Sequence, residues 1–307
     1  MNKRIVTTGI APLFLKPEEN AELADEALMG MGVEITGEKS GGFYPVRTYY
    51  NYEGYVPEEC LTEPSEYAEN WENTPKLTVW APYLDIQAGP KVQAHVLASC
   101  PRGGLLADLS GQSENETPPG WVYVGLPDGR KGYTRSASVK PAVTAVFFGH
   151  DAGYAKTGAN DGLDKPAAGP EYSPLFGKDH VQGIRRAFVN TAKLYLHTQY
   201  RWGGKTPLGI DCSGLTFIAY LLNGYIIYRD AHIKPGFALK EIEFGSMGIG
   251  DLIFWKGHVA MYTGGGEYIH STGYGKSAGV VINSLEPGSS VYREDLAKSV
   301  TQIGSVF

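Results

Sequence analysis

The sequence places a cysteine, Cys212, between an aspartate and a serine at the start of a long apolar run. Asp211 is a residue type that caps helix N-termini, and Gly224 is typical of the position just after a helix. We therefore predict a buried helix that begins at Cys212. A thiol in the first turn of a helix faces unpaired N–H groups and the positive end of the helix dipole, which we expect to lower its pKa and favour the nucleophilic thiolate. The alternative is an inert cysteine buried in a core helix.

Two histidines follow in the stretch HVAMYTGGGEYIHS, which has the glycine-rich centre of a β-hairpin. A three-residue loop pairs Tyr262 with Gly266, and in that register His258 lies opposite His270 on one face. A two- or four-residue loop would break this alignment, so two unrelated histidines are the alternative. Together with Cys212, the histidines form a Cys-His-polar arrangement. His258 would take the thiol proton, and His270 would fix the tautomer of His258.

Zinc binding is the competing use of one cysteine and two histidines. It needs a further ligand or a water, and nothing at zinc-ligand spacing supports it. The three cysteines of the 307-residue chain lie far apart without a CxxC pair, so neither a disulfide framework nor a structural metal is predicted, and no cofactor is expected. The net charge of −6 and the lack of a dense basic run argue against a nucleic-acid partner.

Short β-type runs, arranged twice in a similar order, predict two small barrels in the first half of the chain. Residues 1–65 contain RIVTT, PLFL, GVEIT, YPVRTYY and GYVP. Residues 76–142 repeat the plan with LTVWAP, LDIQ, HVLAS, GLLADL, WVYVGL and KGYT. The polar residues 66–75 are predicted as a linker, and the stretch 143–180, rich in Gly, Ala, Pro and Asp, as a connecting segment.

Residues 181–307 predict an α+β domain, because helices precede an antiparallel set of strands. An amphipathic helix over 181–198 comes before the Cys212 helix, and a final helix is expected around 292–298. Four strands carry the runs DLIFW, HVAMYT, EYIHS and VVIN. No run of 18 apolar residues occurs, so no membrane span is predicted. The N-terminal stretch is interrupted by polar residues and shows no cleavage site, so we expect no signal peptide and a cytoplasmic location.

Five ordered motifs carry a resemblance to a known family. They are YRWGG, DCSGL, GDLIFW, HVAMYTGGG and YIHSTG. Their order and spacing are similar to those of the NlpC-type papain-like cysteine peptidases of bacterial cell-wall peptides, over about residues 180–307. The two barrels look like bacterial SH3-like domains. Two such barrels ahead of this domain resemble the YkfC-type γ-D-glutamyl-L-diamino acid endopeptidases. The resemblance implies two small all-β SH3-like barrels followed by an α+β papain-like cysteine peptidase domain.

The resemblance also implies roles in catalysis. Cys212 matches the nucleophile, His258 the general base and His270 the third polar residue. Tyr200 matches a family tyrosine near the oxyanion site, although on its own it reads as a core aromatic before a turn. The backbone N–H of Cys212 is the other natural donor to an oxyanion.

Contacts to substrate are implied for three polar residues. Asp211 and Ser213 match family residues that touch the substrate, although Asp211 could equally be only a helix cap. Asp230 matches an acidic residue that lines the substrate site in YkfC-like enzymes, and a solvated loop charge is the alternative. These enzymes recognise a free N-terminal L-Ala next to γ-D-Glu, and Tyr52 is the best candidate for a first-barrel tyrosine that closes the site. Its near alternatives are Tyr50 and Glu53, and all three could be ordinary strand surface.

Two positions depart from the family pattern. Ala231 follows Asp230 where family members often carry serine, and Met31 occupies the position that we align with a family glutamate. The expected reaction is hydrolysis of the bond between γ-D-Glu and meso-diaminopimelate or L-Lys in murein stem peptides, as part of murein peptide recycling. The alternatives are a secreted cell-wall lytic endopeptidase and a non-catalytic cell-wall-binding protein. A murein-derived peptide is the expected partner, and a monomer is favoured.

Overall fold

The computed structural model of the protein describes residues 2–113, 116–143, 178–274 and 278–307. These residues form two compact units, one within 2–143 and the other within 178–307. All but the two ends of the predicted connecting segment 143–180 lie outside the described residues, so that prediction stays a prediction.

The first unit begins with a six-stranded antiparallel sheet of order β1-β4-β5-β6-β2-β3. The strands are β1 Lys3–Ile5, β2 Ile10–Phe14, β3 Leu23–Leu28, β4 Gly32–Ile35, β5 Phe43–Thr48 and β6 Glu53–Pro57. Leu13 and Val56 lie in the core that the sheet encloses. The sequence does not predict β3, because Asp25 and Glu26 break its apolar pattern, yet both residues are buried. Met31, aligned with a family glutamate, is also buried.

The segment 66–75, which the sequence predicts as a polar linker, contains a helix. Helix α1 covers Glu66–Trp71. The indole N–H of Trp71 donates to the carbonyl of Gly30, in the turn between β3 and β4, across 2.9 Å. Ala68 and Trp71 also pack in one cluster with residues from both sheets of this unit, namely Ile5, Ala107 and Leu109. The sequence does not predict this helix because only a few of its residues face inward, too few to give an apolar pattern with helical spacing.

A seven-stranded antiparallel sheet of order β13-β7-β10-β11-β12-β8-β9 completes the first unit. Its strands are β7 Lys76–Val79, β8 Tyr83–Gln87, β9 Val96–Pro101, β10 Leu105–Asp108, β11 Trp121–Gly125, β12 Lys131–Arg135 and β13 Val139–Pro141. Met29, which directly follows β3, packs in the core of the second sheet with Leu106 and Val124. The first half of the chain thus contains two antiparallel sheets with separate core clusters, within one compact unit.

The second unit is an α+β domain, as predicted. Its helices are α2 Lys178–Lys193, α3 Cys212–Leu221 and α4 Glu294–Ala297. Its strands are β14 Lys205–Thr206, β15 Gly209–Ile210, β16 Lys240–Ile242, β17 Leu252–Trp255, β18 His258–Gly264, β19 Glu267–Thr272, β20 Gly279–Ser284 and β21 Gln302–Ser305. The large sheet has the order β16-β21-β17-β18-β19-β20, and the sequence does not predict its strands β16 and β21. Helix α2 ends five residues before the predicted 198, and His197 in the following turn has a positive φ of 69°.

The hairpin formed by β18 and β19 has a different register from the predicted one. Tyr262 pairs with Tyr268, after a bulge at the turn, and not with Gly266. Continued along the strands, this register places His258 opposite Thr272 instead of His270. The shift moves the partner by two residues, and side chains alternate faces with a period of two. His258 and His270 therefore still share one face, as diagonal neighbours.

Candidate active site

Cys212 is the first residue of helix α3, as predicted. The Asp211 carboxylate caps the helix by accepting a hydrogen bond of 2.5 Å from the Gly214 N–H. Every residue of α3 is buried, which fixes the helix against the rest of the unit. Hydrogen bonds from the backbone N–H groups of Ser213 and Val259 reach the thiol. Val259 directly follows His258, so the sulfur lies beside the start of β18.

The pKa of the thiol is opposite to the sequence-based expectation. Burial raises the pKa of Cys212 to about 11, and the adjacent Asp211 carboxylate acts in the same direction. The backbone hydrogen bonds and the Arg229 guanidinium lower the pKa, but by less than burial raises it. Because Cys212 is only 7% exposed, its thiolate would lose solvation that costs more free energy than the N–H groups at the helix start supply. The thiol is therefore protonated at neutral pH and needs a base to become a nucleophile.

That base is available in a chain of hydrogen bonds on the face of β18, β19 and β20. The His258 Nε2 and the His270 Nδ1 are 2.7 Å apart. The His270 Nε2 lies 2.9 Å from the Asn283 Oδ1. Because Nε2 of His258 is engaged, Nδ1 is the ring nitrogen that remains for the thiol of Cys212.

Both histidines are neutral at physiological pH. Burial lowers the pKa of His258 to about 3, helped by the neighbouring His270 and by Arg293. Burial likewise lowers the pKa of His270 to about 4, although its hydrogen bond with Asn283 opposes the shift. A neutral imidazole beside a protonated thiol is the starting state for general-base catalysis.

Asp211 forms a buried ion pair that the sequence analysis missed. The two guanidinium nitrogens of Arg229 lie 3.1 and 3.2 Å from the Asp211 carboxylate oxygens. Arg229 also donates to the Ser213 hydroxyl and to the carbonyls of Gly203 and Gly204. The Gly203 N–H donates to Asp211 in return, across 2.8 Å. Both oxygens of Asp211 are thus occupied within the fold, which favours the helix-cap alternative over a contact with substrate.

Tyr200 lies beside Cys212, where the resemblance places it. Its backbone forms a bridge with Ile210, two residues before the cysteine. Burial raises the pKa of the Tyr200 phenol, and the nearby Cys212 and Asp211 raise it further. A Cβ atom at Gly273 would lie 3.3 Å from the Tyr200 ring, so glycine lets the ring lie close to the end of β19. The phenol stays protonated and can donate a hydrogen bond.

Asp230 is half-buried and follows Arg229 directly. Its carboxylate is hydrogen-bonded to Tyr228, and burial together with this carboxylate raises the pKa of Tyr228 to about 12. Asp230 is therefore held in place by a neighbouring phenol and is not a freely solvated loop charge.

The predicted contact from the first barrel lies in the first unit, and its role stays a prediction. Tyr52 packs partly buried against the core of the first sheet. Tyr50 is fully buried, and its hydroxyl donates to the Asp25 carboxylate across 2.5 Å. Glu53 is exposed and forms an ion pair with Arg47.

Neither a metal site nor a membrane-spanning helix is present in the part of the chain that the structure describes. In those residues, no group of three or more His, Cys, Asp or Glu side chains is arranged to hold a metal ion. None of their helices combines the length and the apolar character needed to cross a bilayer.

Comparisons with known families and curated proteins agree with this geometry. Residues 197–297 match the NlpC/P60 family, and residues 13–61 match the bacterial dipeptidyl-peptidase SH3 domain. Dipeptidyl-peptidase 6 of Lysinibacillus sphaericus is 36% identical over 303 residues, which cover 99% of each chain. The γ-D-glutamyl-L-lysine dipeptidyl-peptidase of Bacillus subtilis strain 168 is 35% identical over 125 residues, 38% of this chain and 40% of its own length.

A solved structure shows the same fold over nearly the whole chain. An NlpC/P60 family protein from Bacillus cereus superimposes with a TM-score of 0.70 at 22% identity, covering 98% of both chains. The fold is therefore an N-terminal region of SH3-like β domains followed by an NlpC/P60 domain. With the thiol, the two histidines and the full-length relative, these features show that the chain belongs to the NlpC/P60 family of cell-wall peptidases.

Proposed function

We propose that the protein is a cysteine peptidase that hydrolyses the bond between γ-D-Glu and the L-diamino acid of murein stem peptides. The observation that supports this most strongly is the position of the Cys212 thiol beside the start of β18, with His258 linked to His270 across 2.7 Å. A buried thiol next to a neutral imidazole, itself oriented by a third polar group, is the arrangement that nucleophilic acyl transfer requires.

The reaction begins with attack of the Cys212 sulfur on the γ-carbonyl carbon of D-Glu. The thiol proton passes to Nδ1 of His258 as the S–C bond forms. When the C–N bond breaks, His258 returns the proton to the α-amine of the diamino acid, which leaves. A water then attacks the thioester, with His258 taking one of its protons. The C–S bond breaks, and His258 returns that proton to the sulfur. The products are the dipeptide acid and the restored thiol.

Two hydrogen-bond donors are proposed to stabilise the tetrahedral oxyanion. One is the backbone N–H of Cys212, because N–H groups in the first turn of a helix have no partner within the helix. The other is the Tyr200 phenol, whose raised pKa keeps its proton in place.

Substrate choice is proposed to rest on charge near the nucleophile. One relative is named a γ-D-glutamyl-L-lysine dipeptidyl-peptidase and the full-length relative a dipeptidyl-peptidase, which supports release of L-Ala-γ-D-Glu from a free N-terminus. A desolvated ammonium group needs an anionic partner. Since Asp211 is occupied by Arg229, we assign this contact to Asp230. We further propose short free murein peptides in recycling as the natural substrates, with digestion of intact wall as the alternative.

Mass spectrometry of reaction products tests this proposal. The substrates are L-Ala-γ-D-Glu-L-Lys, the meso-diaminopimelate equivalent, their N-acetylated forms and intact sacculi. We expect the free tripeptides to yield L-Ala-γ-D-Glu and the free diamino acid, and the N-acetylated forms to resist cleavage. Cleavage of acetylated peptides and sacculi at the same rate would favour a wall lysin over recycling.

A matched pair of variants links the activity to the site. Cys212 and Cys60 are equally buried, at 7% exposure, but the Cys212 sulfur accepts a hydrogen bond from the backbone N–H of Val259, the residue directly after His258. We expect Cys212→Ala to abolish turnover with the fold intact and Cys60→Ala to retain it. Undiminished turnover in Cys212→Ala would contradict the proposal.

A further inference from the structure

The chain of hydrogen bonds at the site continues beyond the third residue to a fourth, Asn283 on β20. Its Oδ1 lies 2.9 Å from Nε2 of His270. Its Nδ2 donates to the Val291 carbonyl across 3.0 Å. Both polar ends of one amide are therefore engaged, one by the imidazole and one by a backbone carbonyl.

The Val291 carbonyl settles which way the amide points. A carbonyl oxygen can only accept a hydrogen bond, so the amide nitrogen of Asn283 must face Val291. The reversed amide would set two oxygens against each other. The amide oxygen, which can only accept, is then the atom that faces His270. Nε2 of His270 must carry a hydrogen.

We propose that Asn283 is a positioning residue that fixes the tautomers of both histidines and so leaves Nδ1 of His258 free to accept a proton. With its hydrogen on Nε2, neutral His270 has an unprotonated Nδ1, which accepts from Nε2–H of His258. Neutral His258 then has an unprotonated Nδ1, the atom that the thiol needs. No proton leaves His270 during the reaction. The kinetic consequences of this inference rest on the proposed function. The tautomers follow from the hydrogen bonds alone.

The charged groups around His258 and His270 do not favour the protonated form of either histidine. The titratable and charged groups near His270 are His258 on β18, Tyr268 on its own strand, and Arg293 and Asp295 at the start of α4. Arg293 and Asp295 form a bidentate pair with distances of 2.8 and 2.6 Å, so their opposite charges largely cancel.

An asparagine suits this position better than an aspartate would. A carboxylate in the place of the Asn283 amide would stabilise the imidazolium form of His270. A protonated His270 would donate from Nδ1 to Nε2 of His258 across the same contact. The hydrogen of neutral His258 would then lie on Nδ1, and the acceptor that the thiol needs would be lost. The neutral amide accepts the same hydrogen bond without adding charge.

Histidine ¹⁵N NMR of the full chain tests the tautomers without any substrate, with the two resonances assigned by His258→Gln and His270→Gln variants. At pH 7 we expect both histidines to be neutral with the hydrogen on Nε2. In Asn283→Leu, His270 should show a mixture of tautomers. A hydrogen on Nδ1 of either wild-type histidine overturns the proposal, and so does an unchanged tautomer in Asn283→Leu. This readout stands even if none of the peptides is a substrate.

Kinetics on the tripeptide supply the second readout. Asn283→Leu should lower kcat about five- to tenfold with little change in KM, the equivalent of one net hydrogen bond. Asn283→Asp should move the acid limb of kcat/KM upward by about one pH unit or more, because the new carboxylate favours the imidazolium. An acid limb that stays in place in Asn283→Asp overturns the proposal, since a purely structural asparagine would not move it.

Ser289→Ala is the matched control for the turn that carries Val291. The Ser289 hydroxyl accepts a hydrogen bond from the Val291 N–H across 3.3 Å and is not part of the chain of hydrogen bonds through the two histidines and Asn283. We expect this variant to keep the wild-type tautomers and the wild-type pH profile. A shift as large as that of Asn283→Asp would assign the effect to the turn and overturn the proposal.

Discussion

Removal of the buried guanidinium by Arg229→Met should strongly destabilise the second unit. Arg229 is 1% exposed, and its nitrogens contact both oxygens of Asp211, the Ser213 hydroxyl and the carbonyls of Gly203 and Gly204. Methionine fills a similar volume but supplies no donor. The variant therefore leaves a buried carboxylate without its counter-charge and two buried carbonyls without their side-chain donor.

The magnitude follows from what Asp211 retains. Breaking a buried ion pair by removing one partner costs about 3–5 kcal/mol. Asp211 keeps the N–H donors of Gly203 and Gly214, which still stabilise its charge. We therefore expect a decrease in the free energy of unfolding at the lower end of this range, about 3 kcal/mol. Asp211→Asn combined with Arg229→Met removes the charge as well. The double variant should therefore be more stable than the sum of the two single changes predicts, as groups in contact are not additive.

Denaturant unfolding is the assay, with the transition of the second unit followed separately because the chain has two units. Arg186→Met, on the exposed side of α2, is the control and should lie within about 0.5 kcal/mol of wild type. A loss below about 1 kcal/mol in Arg229→Met, or full additivity in the double variant, would refute the reasoning that the pair holds the turn before Cys212.

Three further outcomes are expected. Since the pKa of buried His270 is about 4 in the folded state and 6.5 for an unperturbed histidine, the folded state binds fewer protons than the unfolded chain between these values. Stability should fall on acidification through that window by up to about 3 kcal/mol from this group, and His270→Gln should show a smaller fall in unfolding free energy. Cys212 should react with a thiol probe faster than Cys60, which is equally exposed at 7% and whose pKa burial also raises; equal rates would indicate a vestigial site. Trp71→Ala should lower the stability of the first unit by about 3–5 kcal/mol in thermal unfolding, because it opens a cavity and leaves the Gly30 carbonyl without its indole donor.

The parts of the site that depend on local patterns could be predicted from the sequence. Helix α3 could be predicted because its signals are local: the Asp211 cap and the apolar run that follows it are neighbours in the sequence. The two histidines share a face because side chains alternate between the two faces of a strand. A shift of register by an even number of residues therefore leaves each side chain on the same face. The expected pairing of Tyr262 with Gly266 was wrong, since the bulge at the turn is a detail that the glycine-rich run does not specify.

The parts that depend on distant partners could not be predicted. Arg229 lies 18 positions after Asp211, and Asn283 lies 13 positions after His270, with no periodic signal linking either pair. The sign of the thiol pKa shift was also missed. A helix start is visible in a sequence, but the degree of burial around Cys212 depends on the whole unit.

Detection of the covalent intermediate tests the central claim most directly. The protein is mixed with L-Ala-γ-D-Glu-L-Lys, quenched in acid within the first turnover, digested and mapped by mass spectrometry. We predict one L-Ala-γ-D-Glu acyl group, held as a thioester on the peptide that contains Cys212 and absent in Cys212→Ala. Release of the diamino acid with no acyl group on Cys212, or with the group on Cys60 or Cys100, would contradict the account.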